Sequence, residues 1–109
     1  MKYLVIARRR ETVKTVAGAL QAAKEYVNNE LKSGRADCVY LFPSGDGSGM
    51  GIANADSHEQ LTEILLGHPE YQNFDWEIQP LCEFNRITDK LLDAIRKPQV
   101  VTYPSTIEE

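Results

Sequence analysis

SHEQLTEILLGHPEYQNFDWEIQPLCEF, residues 57–84, is the stretch that decides the fold. It opens with a helix signal. Asp56 or Ser57 supplies a side-chain oxygen for the free amides of a first turn, and Glu59 or Gln60 stands where a capping box needs a carbonyl. Leu61, Ile64 and Leu65 then recur at helical spacing and form one buried stripe. Gly67-His68-Pro69 ends the helix, because proline cannot continue the backbone ladder. Residues 74–84 change period from helical to alternating. Trp76, Ile78 and Cys82 point one way, and Asp75, Glu77, Gln79 and Glu83 point the other. Pro80 has no amide to give a neighbour, so this strand belongs at a sheet edge or carries a bulge.

Upstream, residues 2–8 are apolar, aromatic and β-branched, too short for a helix, and read as a strand covered on both faces. Arg8, Arg9 and Arg10 mark its exit as a solvated end or an anion-attracting rim, with Arg8 foremost. Residues 11–33 read as a long helix with Val13, Val16, Leu20, Val27 and Leu31 on its stripe. Glu25, Tyr26 and Glu30 lie at the edges of that stripe, and Gly34 closes the helix. Residues 36–43 give a second strand, apolar on both faces. The glycine-rich run SGDGSGMG, residues 44–51, opens onto another strand rather than a helix. Asp46-Gly47 therefore reads as a hairpin turn before a phosphate cradle. The small residues of the strand over 50–55 leave room for a helix or ligand to approach closely. Downstream, residues 86–97 read as a third helix with Ile87, Leu91 and Ile95 one turn apart and Thr88 as its cap. The tail over 98–109 carries Val100, Val101 and Tyr103 and is expected to dock on its own or a neighbouring subunit.

The element order βαββαβ, with one hairpin and two crossover helices, predicts an α+β, ferredoxin-like sheet followed by a C-terminal helix and tail. The core domain runs over 1–84 and the appended helix and docking tail over 85–109. Helices cover one sheet face. The other is expected to present Tyr, Trp and aliphatic side chains, a patch of the kind that marks an interface. Pairing two such faces gives a dimeric α+β barrel, so a homodimer or higher homo-oligomer is expected.

Composition narrows the functional classes. The formal net charge of −4 argues against a polyanion binder, and the strand over 50–55 lacks the aromatics an RNA-binding sheet stacks on bases. No nucleic-acid partner is expected. No stretch approaches the roughly 20 apolar residues that span a bilayer, so no membrane partner is expected either. Cys38 and Cys82 form no metal spacing and no disulfide framework. They read as small buried thiols in a cytoplasmic protein. His58 and His68 stand ten residues apart without a matching acid cluster, so no metal site is expected.

Within residues 57–82 the chain resembles the muconolactone isomerase family. Ser57, Glu59, Leu61 and Leu65 carry the likeness in the helix, Pro69 in the turn, and Asp75, Glu77, Leu81 and Cys82 in the strand. The resemblance implies a dimeric α+β barrel, often in higher oligomers with exchanged C-terminal segments. It also implies cofactor-free isomerisation of a small lactone carboxylate. The second strand departs from that family, with Asp37, Cys38, Val39, Tyr40 and Leu41 where it carries polar and basic residues. The matched residues are a cap, core leucines and a turn proline, which speak for fold more than for chemistry.

Moving a double bond beside a lactone carbonyl needs a base near a carbon acid and positive charge for the enolate. Candidate bases are Glu30, His58 and His68. Candidate charge partners are Arg8 and Arg35, and Tyr3, Tyr40, Tyr71 and Trp76 are candidates to line a pocket for a small-molecule ligand. No cofactor is expected. His58 also reads as a solvated helix residue, and His68 as a turn residue near a helix C-terminus. A non-catalytic oligomeric barrel that binds a small ligand is the alternative.

Overall fold

The computed structural model describes residues 1–97; the proposed tail dock lies outside them. The elements run β1 (Lys2–Arg9), α1 (Ala17–Ser33), β2 (Ala36–Leu41), β3 (Gly49–Asn54), α2 (His58–Leu66), a short 3-10 turn (Tyr71–Asn73), β4 (Phe74–Leu81) and α3 (Phe84–Arg96). The strands form one antiparallel sheet in the order β2-β3-β1-β4, the ferredoxin-like arrangement. β4 lies at an edge, where Pro80 costs no central hydrogen bond. Among the described residues no helix is long and apolar enough to cross a membrane.

Register assigns each strand two faces. Opposite partners share a face, so Tyr3 pairs with Ala53 and Pro80, Val5 with Gly51 and Ile78, and Ala7 with Gly49 and Trp76. This is the helix-covered face. Its core gathers Tyr3, Val5, Ala53, Ala55, Leu61 and Leu65, with Ile64, Tyr71 and Trp76 packed against it. The core therefore lies under α2. Ser57 caps that helix by accepting a bond from the Gln60 amide (3.1 Å), and the Gln60 carboxamide oxygen accepts from the Asp56 amide. The opposite face carries Leu4, Ile6, Met50, Ile52, Cys38 and Tyr40, flanked by Asp75, Glu77 and Gln79 of β4. Tyr40 is 65% exposed there. Trp76 is not on this open face but under the helices, because its alternation follows Phe74.

Several boundaries differ from the sequence reading. α1 begins at Ala17, not at residue 11. Glu11 and Thr12 form a turn closed by the Val13 amide on the Arg10 carbonyl (3.0 Å), Val16 is extended, and Thr15 donates its hydroxyl to the Asp46 carbonyl. The buried side of α1 is Ala23 and Glu30, while Val16, Leu20 and Leu31 are exposed. The connection between β2 and β3 is a seven-residue loop, not a two-residue turn. The Asp46 carboxylate organises it by accepting from the Ser44 hydroxyl and the Ser48 amide, with Gly45 and Gly47 at positive φ. β4 stops at Leu81, and α3 starts at Phe84 with Glu83 as its cap in place of Thr88. No residue of α3 is buried, and Phe84, Leu91 and Ile95 are exposed. Both cysteines are free. Cys38 is half-buried, and Cys82 is exposed beyond the end of β4.

Candidate functional site

A strand without side chains on one face makes space. β3 presents Gly49, Gly51 and Ala53 to the helix side. A Cβ on Gly49 would stand 2.2 Å from the Tyr40 carbonyl oxygen, so β2 crosses too close for any larger residue. Above this floor, between α1, α2 and the sheet, lies a cavity of about 100 Å³. Tyr26, Val27 and Glu30 of α1 form one wall, Ile64 and Leu65 of α2 another, and His68, Trp76 and Arg35 complete it.

Glu30 reaches the cavity because Tyr26, Val27 and Glu30 share the inward side of α1, one turn apart. The residue is 8% exposed. Gly34, at φ 80°, then turns the chain so that Arg35 folds back on it. Arg35 donates Nε to Oε1 and Nη2 to Oε2, each at 2.8 Å, a bidentate pair with one half-exposed partner. Tyr26 donates its hydroxyl to the Ile64 carbonyl and so ties α1 to α2. Burial, reinforced by the nearby Glu30 charge, pushes that phenol up to about 12.

His68 sits among three rings, edge-on to Tyr26 (5.2 Å), Phe74 (5.5 Å) and Trp76 (5.7 Å). Its Nδ1 accepts from the Glu70 amide at 3.0 Å. The neutral ring therefore carries its proton on Nε2. Burial holds its pKa below the usual imidazole range, and the Arg9 charge adds to this against an opposing pull from Glu70.

Glu70 is itself anchored. Arg9 Nη2 donates to its Oε2 at 3.0 Å, and both side chains are 3% exposed. Arg9 also donates Nε to the Asp46 carbonyl and lies 4.7 Å over the Phe74 ring. Hydrogen bonding to Arg9 holds the Glu70 carboxyl below its ordinary value. A second groove runs past this pair along α1, from Leu20 and Lys24 to His68 and Phe74.

Four of the nine sequence candidates thus meet at one cavity: Glu30, Arg35, His68 and Trp76. The other five lie elsewhere. Tyr3 is 1% exposed in the core, with its hydroxyl 2.9 Å from Nδ1 of the exposed His58. Arg8 pairs with Glu77 at the surface (2.8 Å), and Tyr40 stands on the open face. Tyr71 stacks on Trp76 at 5.7 Å and accepts the indole N–H at its carbonyl, one layer behind the cavity. The sequence reading put Arg8 ahead of Arg9 on the arginine rim, did not single out Glu70 and left Tyr26 at a helix edge. Strand alternation was the available signal for Arg9, which shares the parity of Tyr3 and Val5. Among the described residues no cluster of His, Cys, Asp or Glu side chains is placed to hold a metal ion.

No family model and no curated protein matches the chain. Solved structures do. The crystal structure of muconolactone isomerase aligns with a TM-score of 0.62 at 18% identity, covering 76% of this chain and 90% of that one. The 5-chloro-2-hydroxyhydroquinone dehydrochlorinase from Burkholderia phenoliruptrix AC1100, solved in complex with 2,5-dihydroxybenzoquinone, aligns with a TM-score of 0.51 at 13% identity. That match covers 79% of this chain and 98% of that one. The chain therefore has a muconolactone isomerase-like fold.

Proposed function

We propose that this protein is a cofactor-free isomerase that moves a proton along a small unsaturated ring carbonyl compound, such as a lactone, in the cavity over Gly49 and Gly51. The observation that carries the reading is a buried carboxylate and a half-buried neutral imidazole lining one apolar chamber. Glu30 takes the proton from the carbon beside the carbonyl. Each of its oxygens accepts one bond from Arg35 and retains a second lone pair. His68 donates Nε2–H to the carbonyl oxygen, where negative charge develops. Glu30 exchanges that proton with water at the open mouth of the cavity and delivers a proton to the far carbon of the conjugated system, so no atom is gained or lost overall. Arg35 holds the carboxylate in place, and Trp76 and Tyr26 keep water from the ring.

The likeness to muconolactone isomerase supports this reaction class, since that protein's name states an isomerisation on the same fold. A homodimer built by pairing open sheet faces completes the proposal. It is supported by Leu4, Ile6, Met50 and Ile52 lying together on the face without helices. A ligand-binding protein without catalysis is favoured by one observation: Arg35 already occupies both Glu30 oxygens.

Ultraviolet assay of unsaturated butenolides separates the two. Wild type is expected to interconvert the double-bond isomers, and Glu30→Gln to lower kcat by about 100-fold or more, as loss of a general base does. Binding without conversion in wild type leaves only the ligand-binding protein.

A further inference from the structure

We infer that the ligand of this cavity is an uncharged ring carbonyl compound, and that ligands bearing a carboxylate are turned away. The inference deepens the reading above and rests on this cavity being the ligand site. Among the described residues that line it, Arg35 is the one cation. Its Nε and Nη2 are already committed to Glu30, so the pair presents no net charge. The Arg35 side chain is itself half-exposed, so water screens the charge it has left. His68 is neutral by geometry, since a second proton on Nδ1 would face the Glu70 amide. The Tyr26 hydroxyl is spent on the Ile64 carbonyl. Val5, Val27, Val39, Ile64 and Leu65 supply most of the remaining wall.

An entering carboxylate would lose its water, meet no unpaired cation and stand beside the Glu30 carboxylate. Each of these opposes binding. A neutral carbonyl meets none of these costs. It needs one donor, and His68 Nε2 makes no hydrogen bond among the described residues. Size limits the ligand to a single small ring reaching toward the mouth, since the cavity of about 100 Å³ is smaller than the roughly 150 Å³ that accepts benzene and is open to solvent.

Trp76 is the chain's one tryptophan and lines the cavity, so its fluorescence reports occupancy directly. The probes are neutral 5-methylfuran-2(5H)-one and its charged counterpart (5-oxo-2,5-dihydrofuran-2-yl)acetate, titrated at neutral pH. In wild type the neutral lactone is expected to bind at least about tenfold tighter than the acetate. In Glu30→Gln the negative charge is gone and Arg35 is released. The acetate is then expected to gain about tenfold while the neutral lactone changes little. Equal or tighter binding of the acetate by wild type overturns the inference, as does the lack of a saturable response to the neutral lactone. Turnover is read separately. A neutral lactone that binds but is not converted supports this inference and sinks the isomerase reading, whereas an acetate that binds more tightly and is converted does the reverse.

Discussion

The ring of His68 cannot take up a proton without losing the bond that its Nδ1 accepts from the Glu70 amide. Its stability contribution therefore has a defined pH dependence. The folded pKa lies below the ordinary 6.5, so the unfolded chain binds more protons once the pH falls beneath that value. Stability is full above about 6.5 and is lost as the pH falls through the folded pKa. Urea midpoints are expected to drop from pH 7 toward pH 5, and to drop less in His68→Phe, which keeps a flat ring among Tyr26, Phe74 and Trp76. An unchanged slope in that variant would assign the effect to another group. Residue identity was readable for this ring, since a histidine next to a helix-ending proline stood out. Its environment was not, because Phe74 and Trp76 reach it from a strand and Arg9 acts through Glu70 from the end of β1.

Gly49 and Gly51 make β3 the element on which the site depends. Gly49→Ala would drive a methyl group into the Tyr40 carbonyl, with backbone rather than a mobile side chain as the obstacle. A loss of about 1–3 kcal/mol is expected by urea unfolding, as overpacking usually costs, together with weakened ligand binding. Wild-type stability in this variant would mean that β2 can move aside. The element order, the edge position of β4, the Ser57 cap and the room beside β3 were legible, because they follow from local alternation, proline chemistry and small residues. The start of α1 was not. Its apparent stripe from Val13 to Leu20 obeys helical spacing, yet a turn at Glu11–Thr12, the extended Val16 and the bond from Thr15 to the Asp46 loop delay the helix to Ala17. The inward side of α1 was misread for a related reason. A helix that borders a cavity need not bury its most apolar residues, and here it turns Tyr26 and Glu30 inward instead.

For the whole molecule, the sheet has one face covered by α1 and α2 and one without helices, and α3 leaves an apolar stripe exposed. Such surfaces are seldom left to water. Light scattering is expected to give about twice the 12.3 kDa chain mass or a higher multiple, and Tyr40→Glu on the open face to shift the population toward one chain. A wild-type protein that stays at one chain mass at micromolar concentration contradicts face-to-face pairing. The fold was legible at this scale, and the muconolactone isomerase structure shares it. The chemistry was only half legible. Glu30 and Arg35 lie five residues apart in sequence, but nothing local shows that a helix end, a glycine turn and a bare strand bring them to one chamber with His68.

Hydrogen exchange at the ligand's own carbon tests the central claim most directly. Incubated in D2O with 5-methylfuran-2(5H)-one and followed by proton NMR, the protein is expected to replace the hydrogens on C3 and C5 of the ring with deuterium, and Glu30→Gln to slow this by about 100-fold or more while still binding the lactone. Exchange at the same rate in both proteins, or none above buffer in wild type despite binding, would contradict proton transfer by Glu30 in this cavity.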